Sequence, residues 1–226
     1  VPVIFEGGVG NDTISLGAAP TSASALSILA GDTGSDTLSA SSGNLTFRPG
    51  SDDDTVTLGT GSGTTNRVTL VGGNDTLSGG GSGAANTLVY ERGFGTIDAS
   101  GLATGSASTV FDFTDLAQAV VGTLETTGST FDAGGSSVVT FDLAAVTEVL
   151  GGRARDEWTF TDPHIHSAGL DLRAGLGNDR LVFTGSDFTE ATAGIRIDDD
   201  LLPTTAATIG TVTVADCTCQ PITDIE

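Results

Sequence analysis

The chain has 226 residues, long enough for one sizeable domain or two small ones. Its 29 acidic and 8 basic residues give a formal net charge of −21, which repels nucleic acid and anionic membranes and attracts multivalent cations. All the basic residues are arginine, which excludes a Walker-type phosphate loop, and no apolar run approaches the ~18 residues of a membrane span. We therefore expect no nucleic-acid partner and no membrane insertion.

The first element is a glycine-rich turn that places a carboxylate just before a short strand. It reads GGVGNDTIS, residues 7–15, and weaker copies follow along the chain. The copies are GDTGSDTLS from Gly31, PGSDDDTVT from Pro49, VGGNDTLS from Val71, GGRARDEWT from Gly151 and AGLGNDRLV from Ala174. The last aspartates of the first four copies stand 24, 18 and 21 residues apart, and a degenerate fifth copy, RGFGTID, places Gly95 where the aspartate would stand. A period near twenty residues predicts stacked coils.

A second strand signal interleaves with the acidic turns. The segments NLTF, NRVTL and NTLVY begin at Asn44, Asn66 and Asn86, each after a neutral stretch rich in glycine, serine or alanine. One repeat therefore reads acidic turn, strand, neutral turn, strand, and we expect the asparagines to form a column. Alternation predicts two inner walls. They are Ile14, Leu38, Val56, Leu77 and Ile97 on one side and Phe47, Val68, Leu70, Leu88 and Tyr90 on the other. The predicted fold is all-β, a parallel β-solenoid of either hand with coils of about twenty residues.

Stacking such coils would bring the aspartates into a column. Two unit charges ~4.8 Å apart repel by roughly 1 kcal/mol in water and 3–4 kcal/mol at an effective dielectric near 20. A hard divalent cation between the turns reverses that penalty, and Ca²⁺ takes about six to eight oxygen ligands from carboxylates and carbonyls. The alternative is that Asp and Gly merely favour turns. We expect several Ca²⁺ ions, held by Gly8, Gly10, Asp12, Asp32, Gly34, Asp36, Asp52, Asp54, Gly73, Asp75, Asp156, Gly175, Gly177 and Asp179.

These turns resemble the nonapeptide GGxGxDxUx of the RTX, or hemolysin-type, calcium-binding repeat proteins. GGVGNDTIS matches every defined position, AGLGNDRLV all but Ala174, and GGRARDEWT keeps Gly151, Gly152 and Asp156. The resemblance implies a parallel β-roll with Ca²⁺ in its turns and type I secretion from a Gram-negative cell. Because the alternate turns here are neutral, we expect one calcium-bearing edge.

The predicted organisation is an RTX-like β-solenoid over residues 1–185 and a C-terminal capping segment over 186–226. The solenoid is regular over 5–100, degenerate over 100–150, where we favour continued coils over a helical turn, and repetitive again over 150–185. In the capping segment, Cys217 and Cys219 form either a local clamp or links to another chain.

No constellation of catalytic side chains is evident, so we expect no enzymatic activity. The predicted function is a secreted calcium-binding structural protein of the cell surface: a surface-layer, filament or adhesin component that self-assembles, with cell-surface polysaccharide as a further partner. One alternative is an accessory or secretion module of an extracellular lipase, protease or epimerase. Another is an ice-binding adhesin segment, suggested by the hydroxyl pairs that follow each aspartate, such as Thr55 and Thr57.

Overall fold

A computed structural model of the chain describes residues 3–21, 26–125, 128–161, 170–177, 179–184, 196–197 and 213–215. Over these residues the protein is built of β-strands with one short 3₁₀ turn, Leu143–Ala145. No helix in the described part of the chain is long and apolar enough to cross a membrane. The all-β prediction is confirmed. Most of the predicted cap, including Cys217 and Cys219, lies outside the described residues.

The strands form two sheets, and consecutive strands alternate between them as far as β11. Sheet A has, in spatial order, β1 (Val3–Val9), β3 (Ser27–Thr33), β5 (Asn44–Arg48), β7 (Thr65–Leu70), β9 (Ala85–Tyr90), β11 (Ser108–Asp112), β15 (Glu148–Leu150), β17 (Asp171–Arg173) and β19 (Arg196–Ile197). Sheet B has β2 (Thr13–Ala18), β4 (Thr37–Ser42), β6 (Thr55–Leu58), β8 (Thr76–Gly79), β10 (Thr96–Leu102), β14 (Val138–Phe141), β13 (Ser129–Asp132), β12 (Val121–Leu124), β16 (Glu157–Phe160), β18 (Arg180–Thr184) and β20 (Thr213–Ala215).

Neighbouring strands pair in parallel with one repeat of chain between them, and this pairing aligns the repeats. In sheet A, Leu29 lies beside Phe47 and Phe47 beside Val68. In sheet B, Leu38 lies beside Val56. Alternate residues of each strand face the other sheet because successive side chains point to opposite faces. The prediction of a parallel sheet architecture is confirmed for these pairs.

The core is the file of apolar side chains between the two sheets. Both predicted inner walls are buried, except that Ile14 in the first repeat is only partly covered. The outward positions of β6 and β8 carry Thr55, Thr57, Thr76 and Ser78 instead. The alternation of apolar and polar residues along each strand was therefore sufficient to assign both inner walls.

The middle of the chain departs from parallel pairing. Between β11 and β16, the chain makes three consecutive strands in sheet B, and the central one, β13, is antiparallel to both β12 and β14. Sheet A has no counterpart, because β11 pairs directly with β15. The expectation of continued coils in place of a helical turn is wrong here, because β13 is antiparallel and the segment after β14 forms the 3₁₀ turn Leu143–Ala145. The turn between β13 and β14 contains Gly134 and Gly135, both at positive φ (88° and 68°), and this Gly-Gly pair was a hairpin signal in the sequence.

A cluster of aromatic rings fills the interior beside these extra strands. The ring centroids of Phe131 and Phe141 are 4.6 Å apart, and Trp158 lies 5.4 Å from Phe131. Tyr90 stacks on Phe113 at 4.5 Å. Two extra strands lengthen sheet B locally by ~10 Å, and large rings occupy the interior there in place of the leucines and valines of the earlier repeats.

The neutral edge contains a shorter asparagine column than the sequence predicted. Asn66 donates to Oδ1 of Asn86 at 2.8 Å, and Asn86 donates to the hydroxyl of Thr109 at 3.0 Å. Asn44 is displaced by one position, because β5 and β7 pair it with Thr65. Both column asparagines are buried and also bond the main chain of their own turn, so they close the neutral turns from within.

Candidate metal site

The acidic turns join the strands of sheet A to those of sheet B along one edge of the stack, and they pack in direct contact. A Cβ placed on Gly34 would collide with the carbonyl oxygen of Gly10, and one on Gly73 would collide with that of Asp52. Both glycines have positive φ, 111° and 80°. Only glycine combines this backbone conformation with so close an approach of the neighbouring turn, which explains the glycines that precede each aspartate.

Four predicted site residues form one continuous file along this edge, which we call the aspartate file: Asp12, Asp36, Asp54 and Asp75. The main-chain N–H of each of the first three donates to Oδ1 of the next aspartate, at 2.7, 2.7 and 3.0 Å. The carboxylates of Asp36, Asp54 and Asp75 thus each accept a hydrogen bond from the backbone of the preceding repeat. The prediction that these four aspartates align in one column is confirmed.

The second oxygen of each carboxylate in the file is buried without a hydrogen-bond partner. These atoms are Oδ2 of Asp12, Asp36, Asp54 and Asp75. An unpaired buried carboxylate oxygen is costly, because such groups normally find a donor or a cation. The Oδ2 atoms of the file would therefore be stabilised by a nearby cation or by protonation.

Burial changes the acidity of these groups. Loss of solvation raises the pKa of Asp54 to about 6, with repulsion from Asp36 adding to the effect. The same loss of solvation raises the pKa of Asp75 to about 7, and the charge of Asp54 contributes. In both cases the hydrogen bond from the preceding backbone N–H opposes the rise. Without a cation, these two carboxyls are therefore partly protonated near neutral pH.

The aspartate file ends at Asp75. Strands β8 and β10 pair Thr76 with Asp98, so Ile97 occupies the next position of the file. Gly95, which the sequence analysis placed there, lies instead against the carbonyl of Gly73. The register shift within β10 was not evident from the spacing of the repeats.

Asp156 and Asp179 form a separate short file. The N–H of Asp156 donates to Oδ1 of Asp179 at 2.8 Å. Asp156 itself is fully buried and accepts from the N–H groups of Val120 and Gly152 at 2.8 and 2.7 Å. Desolvation raises the pKa of Asp156 to about 7, although both of its oxygens are hydrogen-bonded. Nearby, Gly175 and Gly177 pack against carbonyls of the preceding turn.

Two predicted ligands lie outside both files. Asp32 is exposed on the outer side of sheet A, and Asp52 is exposed with Oδ2 accepting from the N–H of Gly34 at 2.8 Å. Of the predicted glycines, Gly8 has no neighbour that a Cβ would touch, whereas Gly10 supplies the carbonyl that faces Gly34. The structure therefore brings together the last aspartate of each copy and separates the additional ones.

An exposed set of hydrogen bonds, formed one residue before each aspartate of the file, was not predicted from the sequence. The N–H of Ser35 donates to Oδ1 of Asn11 at 3.1 Å, and the N–H of Asn74 donates to Oδ1 of Asp53 at 2.9 Å. These bonds run towards the preceding repeat, opposite to those of the file. The signal was present, because Asn or Asp precedes the aspartate in three of the first four copies.

The donors present are of the kind that Ca²⁺ prefers. A Cβ placed on Gly31 would collide with both Oδ2 of Asp36 and the carbonyl oxygen of Pro49, one repeat further on. Carboxylate and carbonyl oxygens of adjacent repeats therefore face a common region. Among the described residues, no group of three or more His, Cys, Asp or Glu side chains converges on one point. An ion at this edge would accordingly draw most of its ligands from carbonyls and water, as hard cations allow.

Comparison of the chain with protein-family models, with curated proteins and with solved structures finds no match.

Proposed function

We propose that the chain is a structural protein whose acidic edge binds Ca²⁺ and whose folding depends on that binding. The observation that carries the proposal is the row of four buried carboxylate oxygens without partners: Oδ2 of Asp12, Asp36, Asp54 and Asp75. Divalent cations between successive turns would satisfy these oxygens and cancel the repulsion along the file. Because the file exists only when the repeats are stacked, ion binding would contribute directly to the free energy of folding.

We further propose that the chain winds as a parallel β-solenoid. The regular alternation of strands between the sheets supports this, as does the one-repeat separation of paired strands in β1–β11. In such a coil, Ca²⁺ supplies charge neutralisation along one edge. The residues of the file hold the neighbouring turns in register through their N–H to Oδ1 bonds.

The test is a thermal melt followed by far-ultraviolet circular dichroism, in chelator and with Ca²⁺ or Mg²⁺ added. We expect a large rise in the melting temperature with Ca²⁺ and a small one with Mg²⁺, which demands stricter octahedral geometry. Asp36→Asn combined with Asp54→Asn should remove most of the Ca²⁺ effect. The matched control is Asp98→Asn, because Asp98 is exposed and its carboxylate accepts hydrogen bonds from Ser100 rather than from the file. An unchanged melt after chelation would refute the proposal.

We propose that copies of the chain associate through the end of the stack formed by β1 and β2. Within the described residues, these strands lie at the ends of their sheets. Phe5 is 36% exposed although its neighbour in register, Leu29, is fully buried, and Ile4 is 55% exposed. Edge strands that expose apolar side chains favour pairing with a further strand, which a preceding repeat of a longer protein would supply as well as another copy of the chain. Head-to-tail contacts of this kind produce filaments or layers.

Analytical ultracentrifugation at millimolar Ca²⁺ tests this association. We expect assemblies for the wild type and monomers for Phe5→Asp. Val121→Asp should behave as the wild type, because Val121 is comparably exposed (47%) but lies in the interior of sheet B. Monodisperse wild-type monomers would contradict self-association while leaving calcium binding untouched.

The cell-surface location and type I secretion remain part of this proposal and rest on the resemblance to RTX repeats. The same resemblance supports an accessory module of a secreted enzyme. A catalytic domain in the same gene would favour that alternative. Secretion of the chain by cells with and without a type I exporter tests the route.

A second candidate function, ice binding, is supported by the outer face of sheet B. Thr37, Thr55 and Thr76 are in register, and the next outward position carries hydroxyl residues as well. Ser15 and Ser39 are linked at 3.1 Å. These positions form two uncharged ranks of hydroxyl groups, a surface suited to ordered water. A thermal hysteresis assay tests ice binding. Replacing Thr55 with Val and Thr57 with Lys should abolish any activity found.

A further inference from the structure

We propose that an open groove on the outer face of sheet A binds a carboxylate-bearing sugar chain, of the oligouronate class. The groove has a volume of about 540 Å³, within the ~300–1,000 Å³ range of small-ligand sites. The residues that line it include Asp32, Arg48, Arg67, Thr69, Val71 and Glu91. None of these residues belongs to the aspartate file, but Asp32 and Val71 lie in acidic turns, so the groove adjoins the proposed calcium edge on the outer side of sheet A.

The groove runs across successive strands. Asp32 lies in β3, Arg48 ends β5, Arg67 and Thr69 lie in β7, and Glu91 follows β9. These four strands are adjacent in sheet A, so the groove spans three strand spacings, or ~14 Å. An open trough of this length suits an extended chain better than a compact ligand.

Two arginines dominate the chemistry of the groove. Arg48 and Arg67 are exposed, and neither forms an ion pair within the described part of the chain. Arg153, Arg173 and Arg180 each pair with a carboxylate, whereas Arg92 and Arg155 are exposed and also form no ion pair with a described residue. What distinguishes Arg48 and Arg67 is that both line the same groove. In a chain with 29 acidic residues and 8 basic ones, two unpaired guanidinium groups in one groove are unexpected. The planar guanidinium fork matches a carboxylate with two parallel hydrogen bonds.

Asp32, at the wall of the groove, departs from the repeat pattern in its backbone conformation. Its φ is 76°, whereas the equivalent position in the preceding repeat is Gly8, also at positive φ (93°). A side chain in the left-handed region is strained, although Asp tolerates it better than most residues. Such strain concentrates at binding sites. Here it places a carboxylate, rather than a bare glycine, at the wall of the groove.

The composition of the groove selects for an acidic sugar. The arginines suit carboxylates, Asp32 and Glu91 can accept hydrogen bonds from sugar hydroxyls, and the 38% exposed Val71 offers an apolar patch for a ring face. The net charge of −21 repels anions at long range, but screening beyond ~8 Å at physiological salt leaves the local arginine contacts dominant. A purely anionic ligand would meet two unfavourable carboxylates here, whereas a uronate chain offers hydroxyls to them.

Isothermal titration calorimetry with a short oligogalacturonate, at a fixed Ca²⁺ concentration, tests the site. We expect measurable binding by the wild type and at least a tenfold loss for Arg48→Gln combined with Arg67→Gln. Arg155→Gln, which removes the same charge at an exposed position outside the groove, should change the affinity by less than about twofold. The methyl-esterified oligosaccharide should bind at least tenfold more weakly than the acid. Melting temperatures of all variants establish that the fold is intact.

Several outcomes would overturn the proposal. Unchanged binding by the double arginine variant would place the sugar elsewhere, for example at Ca²⁺ ions on the acidic edge. An equal loss in Arg155→Gln would indicate a general charge effect. Equal binding of the methyl ester, or of an oligoglutamate, would refute the assignment to a carboxylate-bearing sugar. None of these results bears on whether the aspartate file binds calcium, which is measured separately by the melts in chelator.

Discussion

The main-chain N–H of Asp36 donates a 2.7 Å hydrogen bond to Oδ1 of Asp54, while Oδ2 of Asp54 is buried without a partner. The two oxygens of one carboxylate therefore have different roles. Oδ1 accepts a hydrogen bond from the preceding repeat, whereas Oδ2 is left to bind the proposed ion. A substitution that keeps the hydrogen bond to Oδ1 but removes the negative charge therefore distinguishes an aspartate with a structural role from one that binds calcium.

Asp54→Asn is such a substitution, because the amide oxygen can still accept from Asp36. In chelator we expect the variant to be more stable than the wild type by about 1 kcal/mol, since it removes a buried charge. In Ca²⁺ it should be less stable, because a ligand is lost. Denaturant unfolding in both buffers measures the change of sign. Stabilisation in both buffers would identify the file as an ion-free ladder.

The raised acidities predict an unusual pH dependence of stability. Burial raises the pKa of Asp54 to about 6 and those of Asp75 and Asp156 to about 7. An unfolded aspartate titrates near pH 4, so over this interval the folded state binds more protons than the unfolded state. Stability in chelator should therefore fall as the pH rises from about 4 to about 7.

Excess Ca²⁺ should remove this loss, because the ion binds the ionised carboxylates. Thermal melts at several pH values, with chelator and with Ca²⁺, test both statements. The control is Asp98→Asn, which should leave the slope unchanged: hydrogen bonds from Ser100 lower the pKa of Asp98 instead. Stability in chelator that rises between pH 4 and 7 would contradict the buried, unpaired state of the file.

Asn86→Ala should destabilise the neutral edge. The substitution removes the acceptor of Asn66 and the donor to the carbonyl of Gly80, both at 2.8 Å, inside the protein. Each buried group left unpaired costs roughly 1–3 kcal/mol, so we expect a loss of about 2 kcal/mol or more by denaturant unfolding. Asn44→Ala is the comparison, since Asn44 is half-buried and water can replace its bond to Thr65. Equal effects at the two positions would contradict the role of the column.

Gly122→Ala should destabilise the aromatic cluster. A Cβ at Gly122 would lie 2.5 Å from a ring carbon of Trp158 and 3.0 Å from the ring of Phe131. Overpacking of this kind typically costs about 1–3 kcal/mol. Gly17→Ala, at a strand position where a Cβ meets nothing, is the matched control and should be neutral. A neutral Gly122→Ala would indicate that the extra strands do not pack on the rings.

The local parts of the fold could be predicted because they depend on short-range pattern. Alternation of apolar and polar residues identified both inner walls, and the recurrence of glycines before an aspartate located the acidic turns. The displacement of Asn44 from the asparagine column and of Gly95 from the aspartate file were missed for one reason. Both arise where the strand register departs from the nominal period, and register is fixed by pairing between distant strands.

The groove with Arg48 and Arg67 was beyond sequence analysis for the same reason. These arginines are nineteen positions apart in the chain and become neighbours only through the pairing of β5 with β7. Likewise, the antiparallel β13 depends on whether the segment after β12 pairs with its own neighbour or with a distant strand, which the competing contacts of the whole sheet decide.

The sequence alone determined the strand content, the inward faces and the row of acidic turns, because these follow from repeating chemistry along the chain. Only the tertiary structure decided that Asp32 and Asp52 lie outside the file, where the file stops and which carboxylate oxygens lack a partner. Those features depend on the contacts that each repeat makes with the next, and backbone hydrogen bonds between repeats fix them to within a single residue.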